Sequence, residues 1–432
     1  MAVSLPSIGT ASVLVGTCTV YFFLLLFRIR RTRRLQRWVH QQLSIANFDY
    51  AGRPTLEQRL RLRAMENHRL TAAYEIRNSL TTVSRSTHKD FLNKAAWILK
   101  RKDRSWKEVY RMAETFLKFE VDTALTRGRH SLCLAESVRC MVFAVVLFDS
   151  FQINSMGIPR PRLVAITNEI NEQWLRSKRT PSDVAPSPLL NSTVASLNIT
   201  SPFPDAESAV LSPSEVLSLI MPQYETLWRV VLLTFVTAYH HQPDAYPDTV
   251  QRTSDVPACL GDPANEKEAL KLAKEGLRLY PSNKHLYRAS PSHLYDLEER
   301  NAEEHNPSLT ALGPAPVAAD IASLHRHPFI WGNDALAFRP ARFDDGVFTP
   351  LQRDAYLPFS LPPHKCPAAG TRGNDTSFGE RMVVVLVVAL GRRLGREMGK
   401  VVLGEEIGVN GELPTGRDEM EEWAWEGHAT VS

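Results

Sequence analysis

The sequence predicts a mainly α-helical protein with a small β portion. Two observations carry that expectation. Between residues 41 and 178, apolar residues recur near i, i+3, i+4 and i+7, as in KEVYRMAETFLKFEVDTAL and LAESVRCMVFAVVLFDSF. Two further apolar runs, 215–240 and 378–400, also read as helices, whereas extended segments such as SNKHLYR are few and short.

With 432 residues, 44% hydrophobic and 23% charged, the chain can bury a sizeable core as one large domain or two. The net charge of +4 is small and is concentrated near the N-terminus, so it makes no case for nucleic-acid binding. Cys18, Cys133, Cys140, Cys259 and Cys366 are widely scattered, without a CxxC pair or a Cys/His zinc spacing. That usage argues against a disulfide framework and for a reducing compartment.

Residues 8–27 form an uncharged run about as long as a membrane-spanning helix requires. Arg28, Arg30, Arg31, Arg33, Arg34 and Arg37 follow at once. A cleaved signal peptide has the reverse order, with charge first. The expectation is an uncleaved anchor with its basic flank (1–38) and a cytosolic globular domain (39–432).

Within that domain, Trp97 and Arg101 form a WxxxR pair on one helical face, either an ordinary contact or a functional one. Residues 179–214 are rich in Pro, Ser and Thr and read as a surface loop, with formal glycosylation sequons at Asn191 and Asn198 that a cytosolic domain leaves unmodified. Pro222 interrupts and bends the helix at 215–240. One turn later Glu225 and Thr226 set an acid beside a hydroxyl in apolar surroundings, which either reaches solvent or has a purpose. Glu275 and Arg278 share a helix face, Pro281 ends that helix, and 289–318 reads as a polar loop insertion. An Asn410-Gly411 pair signals a hairpin. Cys366 lies in FSLPPHKCPA, a turn-rich stretch shortly before an apolar helix. It reads either as a buried free thiol or as a thiolate favoured by nearby cations and a helix N-terminus. No GxGxxG, P-loop, GxSxG, HExxH or EF-hand pattern occurs.

Taken in order, KEGLRLYP with Glu275 and Arg278, FRPARF with Arg342, FSLPPHKCPA with Cys366, and the later FGERM helix resemble the cytochrome P-450 superfamily, most of all its fungal microsomal members. The resemblance is clear from about residue 265 onward and faint before it. It implies the cytochrome P-450 fold, haem b, and Cys366 as the axial thiolate ligand of iron. It implies that Phe359 shields the sulfur, that His364 and Arg288 meet the haem propionates (His285 more weakly), and that Trp97 and Arg101 stand where a propionate-binding pair stands. Glu275, Arg278 and Arg342 correspond to a buried structural triad, and Glu225 and Thr226 to the acid–alcohol pair that delivers protons. Ser360 and Pro362 replace the glycines usual in the cysteine loop, and Pro222 and Gln223 replace small residues of the distal helix.

The activity so implied is insertion of one oxygen atom from O2 into a lipophilic substrate, in fungal secondary metabolism. Electrons come from an NADPH-dependent cytochrome P-450 reductase, which basic residues such as Arg372 and Arg381 could meet. The location is the endoplasmic reticulum membrane, with bilayer contact through residues 8–27 and no nucleic-acid partner. Two alternatives stand beside it: a haem-thiolate isomerase or dehydratase needing no external electrons, and a haem-free membrane-anchored scaffold.

Overall fold

The computed structural model describes residues 8–101, 104–181, 183–204, 209–242, 260, 262–292, 315–370, 377–404 and 412–428. The first helix, α1 (Ile8–Ala46), leads into α2 (Leu56–Tyr74), α3 (Arg85–Leu99) and α4 (Trp106–Thr126). After the short strand β1 (Ser131–Cys133) come α5 (Leu134–Phe151), α6 (Arg160–Arg179), α7 (Pro188–Ala195) and α8 (Pro213–Val236). Helix α9 (Pro263–Leu279) precedes the hairpin strands β2 (His285–Arg288) and β3 (Val317–Asp320). Three short helices follow, α10 (Ile321–Arg326), α11 (Pro328–Trp331) and α12 (Pro350–Ala355). The chain closes with α13 (Phe378–Leu394), β4 (Gly399–Val402) and β5 (Ala424–Gly427). Strands β1, β5 and β4 form one antiparallel sheet, and β2 pairs antiparallel with β3 in another. The architecture is mainly helical with two small sheets.

The larger core is built by α4, α5, α8, α9 and α13, with α8 packed against α5, α9 and α13. A smaller core joins Val39, Ile45 and Ala46 of α1 to Ile321, Leu324, Trp331 and Phe343. Burial of α1 therefore begins at Val39, whereas Val20 to Phe23 are exposed. The run 8–27 forms the first part of α1, but the side chains of 8–16 and 18 lie outside the described residues. Among the described residues, no helix is long and apolar enough to cross a membrane.

Several expectations are revised. The stretch 179–214 contains a helix, α7, started by Ser187, whose side chain accepts the N–H of Leu190, and held by buried Leu190 and Val194. Helix α3 stops at Leu99, where the apolar pattern gives way to the charged run at 100–104. Arg101 is thus beyond the helix and not on the Trp97 face. Helix α13 ends at Leu394, not 400, because the chain turns at Gly395 into β4. The predicted turn at 410–411 and most of the 289–318 insertion fall outside the described residues.

Helix α8 runs unbroken through Pro222, and the reason is visible. Proline has no N–H, so the carbonyl of Ser218, four residues earlier, loses its helical partner. Asn78 Nδ2 donates to that carbonyl at 3.0 Å instead. The Ser218 hydroxyl adds a second tie by accepting the N–H of Arg77 at 3.0 Å. Asn78→Ala should therefore cost about 1–3 kcal/mol, the penalty of an orphaned buried carbonyl. Urea unfolding checks this, and an unchanged midpoint would contradict it.

Candidate active site

Glu275 and Arg278 face the same way from the last turns of α9, and neither has any exposed surface. Arg278 Nε and Nη2 donate to the two Glu275 carboxylate oxygens at 2.7 and 2.8 Å. Glu275 Oε1 also accepts Arg342 Nε at 3.3 Å and the Arg339 N–H at 2.8 Å. The remaining guanidinium donors are used as well. Arg278 Nη1 reaches the carbonyls of His325 and Ala335 at 2.6 and 2.7 Å, and Arg342 Nη1 that of Trp331 at 2.7 Å. Two arginines and one carboxylate are thus buried with their hydrogen bonds filled, the condition for burying charge without a large penalty.

His325 extends this network to the cysteine loop. Its Nδ1 lies 3.2 Å from the Arg278 carbonyl and its Nε2 lies 2.8 Å from the Leu357 N–H. A carbonyl can only accept and an amide only donate, so Nδ1 carries the proton and the ring is neutral. Sequence reading missed His325; its only signal was a histidine within an apolar turn.

Beyond Leu357 the chain turns through Ser360, whose φ of 60° is left-handed. A serine there carries strain that glycine would not. The Cys366 N–H then donates to the Phe359 carbonyl at 2.9 Å, and the Ala369 N–H to the Cys366 carbonyl at 3.0 Å. The Phe359 ring lies so close to Gly379, the second residue of α13, that a Cβ there would meet it at 2.8 Å. Ser377 caps α13 by accepting the Glu380 N–H at 3.0 Å. Burial raises the Cys366 thiol above its ordinary range, while the N–H of Ala368, Arg63 and the N–H of Ala369 favour the thiolate. Cys366 nevertheless keeps accessible surface.

His364 and Arg288 are brought together near that thiol, with Arg63 and His88. The His364 ring stands 5.5 Å from His88 and 5.3 Å from Phe48, and Arg288 lies 4.6 Å over the same Phe48 ring. Both ring nitrogens of His364 and the Arg288 Nε are buried without a hydrogen-bond partner. Burial brings Arg63 down to about 9, with Arg288 adding to it, and burial followed by Arg63 brings His364 down to about 3. None of Arg63, Arg288 and His364 forms an ion pair among the described residues. Glu66 acts on Arg288 from nearby, and among the described residues the cluster keeps unmatched donors at His364 and Arg288.

The other predicted residues lie elsewhere. Trp97 is part-exposed and stacks edge-on against Phe203 at 5.5 Å, and Arg101 donates to the Asp149 carbonyl at 3.1 Å. His285 is 3.8 Å from Asp320. Glu225 is buried and held by both Nη atoms of Arg417, and the Thr226 hydroxyl donates to the Pro222 carbonyl at 3.2 Å. Arg381 pairs with Glu266, while Arg372 is outside the described residues.

No family model matches the chain. Short stretches match curated proteins. Over 66 residues the chain is 39% identical to benzoate 4-monooxygenase of Aspergillus niger, which is 14% of this chain and 13% of that protein. Over 60 residues it is 50% identical to secologanin synthase 1 of Catharanthus roseus, 14% of this chain and 12% of that one. A third match, 31% over 78 residues, is to a Panax ginseng cytochrome P-450, covering 18% and 15%. The chain resembles the cytochromes P-450. Each match spans less than a fifth of the cytochrome P-450 concerned. A 6-coordinated cytochrome P-450 from Thermus thermophilus overlays with a TM-score of 0.48 at 17% identity, covering 87% of each chain, too loosely to add to the sequence match.

The residues present fit a haem of the kind cytochromes P-450 carry. Cys366 offers an accessible thiol, and the orphaned donors of His364 and Arg288 suit an anionic group such as a propionate. Only His364, Arg288, Phe359 and Cys366 of the predicted haem contacts are gathered there.

The neutral His325 has a consequence for pH. Burial, then Arg278, pushes it down to about 3 from an ordinary 6.5. Above 6.5 neither state is protonated and its contribution to stability is complete. As pH falls from 6.5 toward 3 only the unfolded chain takes up the proton, and stability is lost. Between pH 7 and 5 wild type should therefore lose more stability than His325→Gln, the gap steepening toward about 1.4 kcal/mol per pH unit. Urea midpoints at the two pH values measure this; parallel losses would refute it.

Proposed function

We propose that the chain is a haem-thiolate monooxygenase that inserts one oxygen atom from O2 into a lipophilic substrate. Haem b, when bound, supplies the oxygen chemistry, and thiolate ligation favours O–O cleavage. Cys366 is the ligand in this reading, and the observation that carries it is the accessible thiol beside unmatched donors of His364 and Arg288. The backbone N–H groups of Ala368 and Ala369 and the cation of Arg63 stabilise its negative charge. His364 and Arg288 bind the anionic edge of the group, Phe359 keeps water from the sulfur, and the Glu275–Arg278–Arg342 triad holds the loop. Trp97 packs against Phe203 and Arg101 donates to the Asp149 carbonyl, and neither is assigned a role in this reading.

Glu225 and Thr226 are the proposed acid–alcohol pair, in which Thr226 holds a proton at its hydroxyl and Glu225 exchanges it with solvent. The finer setting is also a proposal: residues 8–27 anchor the chain in the endoplasmic reticulum membrane, the domain from 39 onward faces the cytosol, and an NADPH-dependent reductase supplies electrons, in fungal secondary metabolism. Val20 to Phe23, exposed and apolar, support the anchor.

A second reading, a haem-thiolate isomerase or dehydratase, is favoured by one observation. The Glu225 carboxylate is clasped by both Nη atoms of Arg417, an ion pair that opposes the proton exchange of the first reading. Carbon monoxide added to the reduced, purified protein should give the red-shifted Soret band of a thiolate-ligated haem, and Cys366→Ser should abolish it. A band that survives in the Cys366→Ser protein, or no haem absorbance in wild type, overturns the assignment. Turnover without reductase would select the isomerase-type reading.

A further inference from the structure

Around Glu225 lies a second charged cluster in which cations outnumber carboxylates. Arg417 takes the Glu225 carboxylate with both Nη atoms, and its Nη1 also donates to Asn171 Oδ1 at 3.2 Å. Arg69, Lys178 and Arg229 act on the same pair. None of these three makes an ion pair among the described residues. Among the described residues, Arg69 donates to the Ser177 hydroxyl at 2.8 Å and Arg229 to the Thr415 carbonyl at 3.1 Å.

The walls of this cluster are aromatic, and their polar tips are idle. Trp174 has Arg69 at 4.5 Å, Arg417 at 4.7 Å and Lys178 at 5.7 Å from its ring. Trp228 has Arg417 at 5.4 Å. The indole N–H groups of Trp174 and Trp228, the Tyr224 hydroxyl and the Arg229 Nε are buried without hydrogen-bond partners, although Trp228 and Tyr224 are fully buried. Buried polar groups are normally paired, so this many idle donors in one place calls for an acceptor. Repulsion among the cations points the same way: after burial, Arg417 is the next influence lowering both Lys178, to about 8, and Arg229, to about 10. Lys178 is exposed and marks the mouth of the cluster.

We infer that Arg69, Lys178 and Arg229 form a binding site for the carboxylate of an apolar carboxylic acid. Guanidinium forks match a carboxylate in two-point contact, and an aromatic wall suits an apolar body better than a hydrated inorganic anion. Arg63 beside Cys366 and Arg69 here are six residues apart on α2, roughly 9 Å along its axis. The inference that this acid is the substrate rests on the monooxygenase reading; the carboxylate site does not.

The test is a titration of the full-length protein with laurate and with methyl laurate, followed by intrinsic tryptophan fluorescence, with Trp174→Phe identifying the part of the signal that arises at the cluster; this needs no haem. Laurate should bind at least tenfold more tightly than the ester. In Arg69→Gln/Arg229→Gln the laurate affinity should fall at least tenfold and the ester affinity stay unchanged. The exposed Lys178→Gln, which cannot disturb the core, should weaken laurate severalfold should the double variant unfold. Equal binding of acid and ester, unchanged laurate affinity in the variants, or displacement of laurate by equimolar inorganic phosphate would overturn the site. A thiolate-type carbon monoxide band together with equal acid and ester binding would sink this inference and leave the monooxygenase reading standing.

Discussion

The Glu275 carboxylate is the constraint on which the proximal half of the molecule depends. A single buried anion accepts from two arginines and a backbone N–H, and the arginines spend spare donors on carbonyls of the stretch 325–337, Arg342 reaching the Asp334 carboxylate as well. That stretch holds the ends of two short helices, α10 and α11, and the turn after them, and carbonyls at such ends lack helical partners and need outside donors. The ion pairs are better understood as donors supplied to a loop than as Coulombic stabilisation, since burying charge gains little net energy by itself. His325 then passes the order on, fixing the Leu357 N–H that begins the approach to Cys366.

Helix α8 organises the other half in a similar way. Pro222 leaves a carbonyl open, Asn78 fills it, and the neighbouring Ser79 accepts from Arg63 Nη1 at 3.1 Å and contacts His88 Nδ1 at 2.9 Å. The irregularity in α8 is thereby joined to the cationic cluster near the thiol. One turn further on, Glu225 anchors Arg417 and with it the C-terminal segment. The two clusters differ in kind. The one at Cys366 surrounds a thiol, whereas the one at Glu225 already holds a carboxylate and still carries positive charge in excess.

Much of this was legible in the sequence because it depends on fixed spacing. An i,i+3 acid and arginine must share a helix face, and Cys366 before the Ser-capped FGERM helix had to be a loop residue. The helix of residues 213–236 was readable from its apolar run, but its continuity through Pro222 was not, because Asn78 lies far off in the chain. Arg101 was misread as a helix-face residue because the charged run at 100–104 keeps helical propensity while offering nothing to bury. Arg417, Arg69 and Trp174 were invisible as a group for the same reason as Asn78. Only folding brings α2, α6, α8 and the C-terminal segment together. The match to cytochromes P-450 is confined to short stretches, and the remaining chain has to be read from its own contacts.

The central claim is that order at the cysteine loop is transmitted from Glu275. Amide hydrogen exchange in Glu275→Gln, compared with wild type, tests it most directly. The account predicts that protection falls together at the amides of Arg339, Leu357 and Cys366, while the α5 core around Val142 to Leu147 keeps its protection. Loss confined to Arg339, with Leu357 and Cys366 exchanging as in wild type, would contradict it.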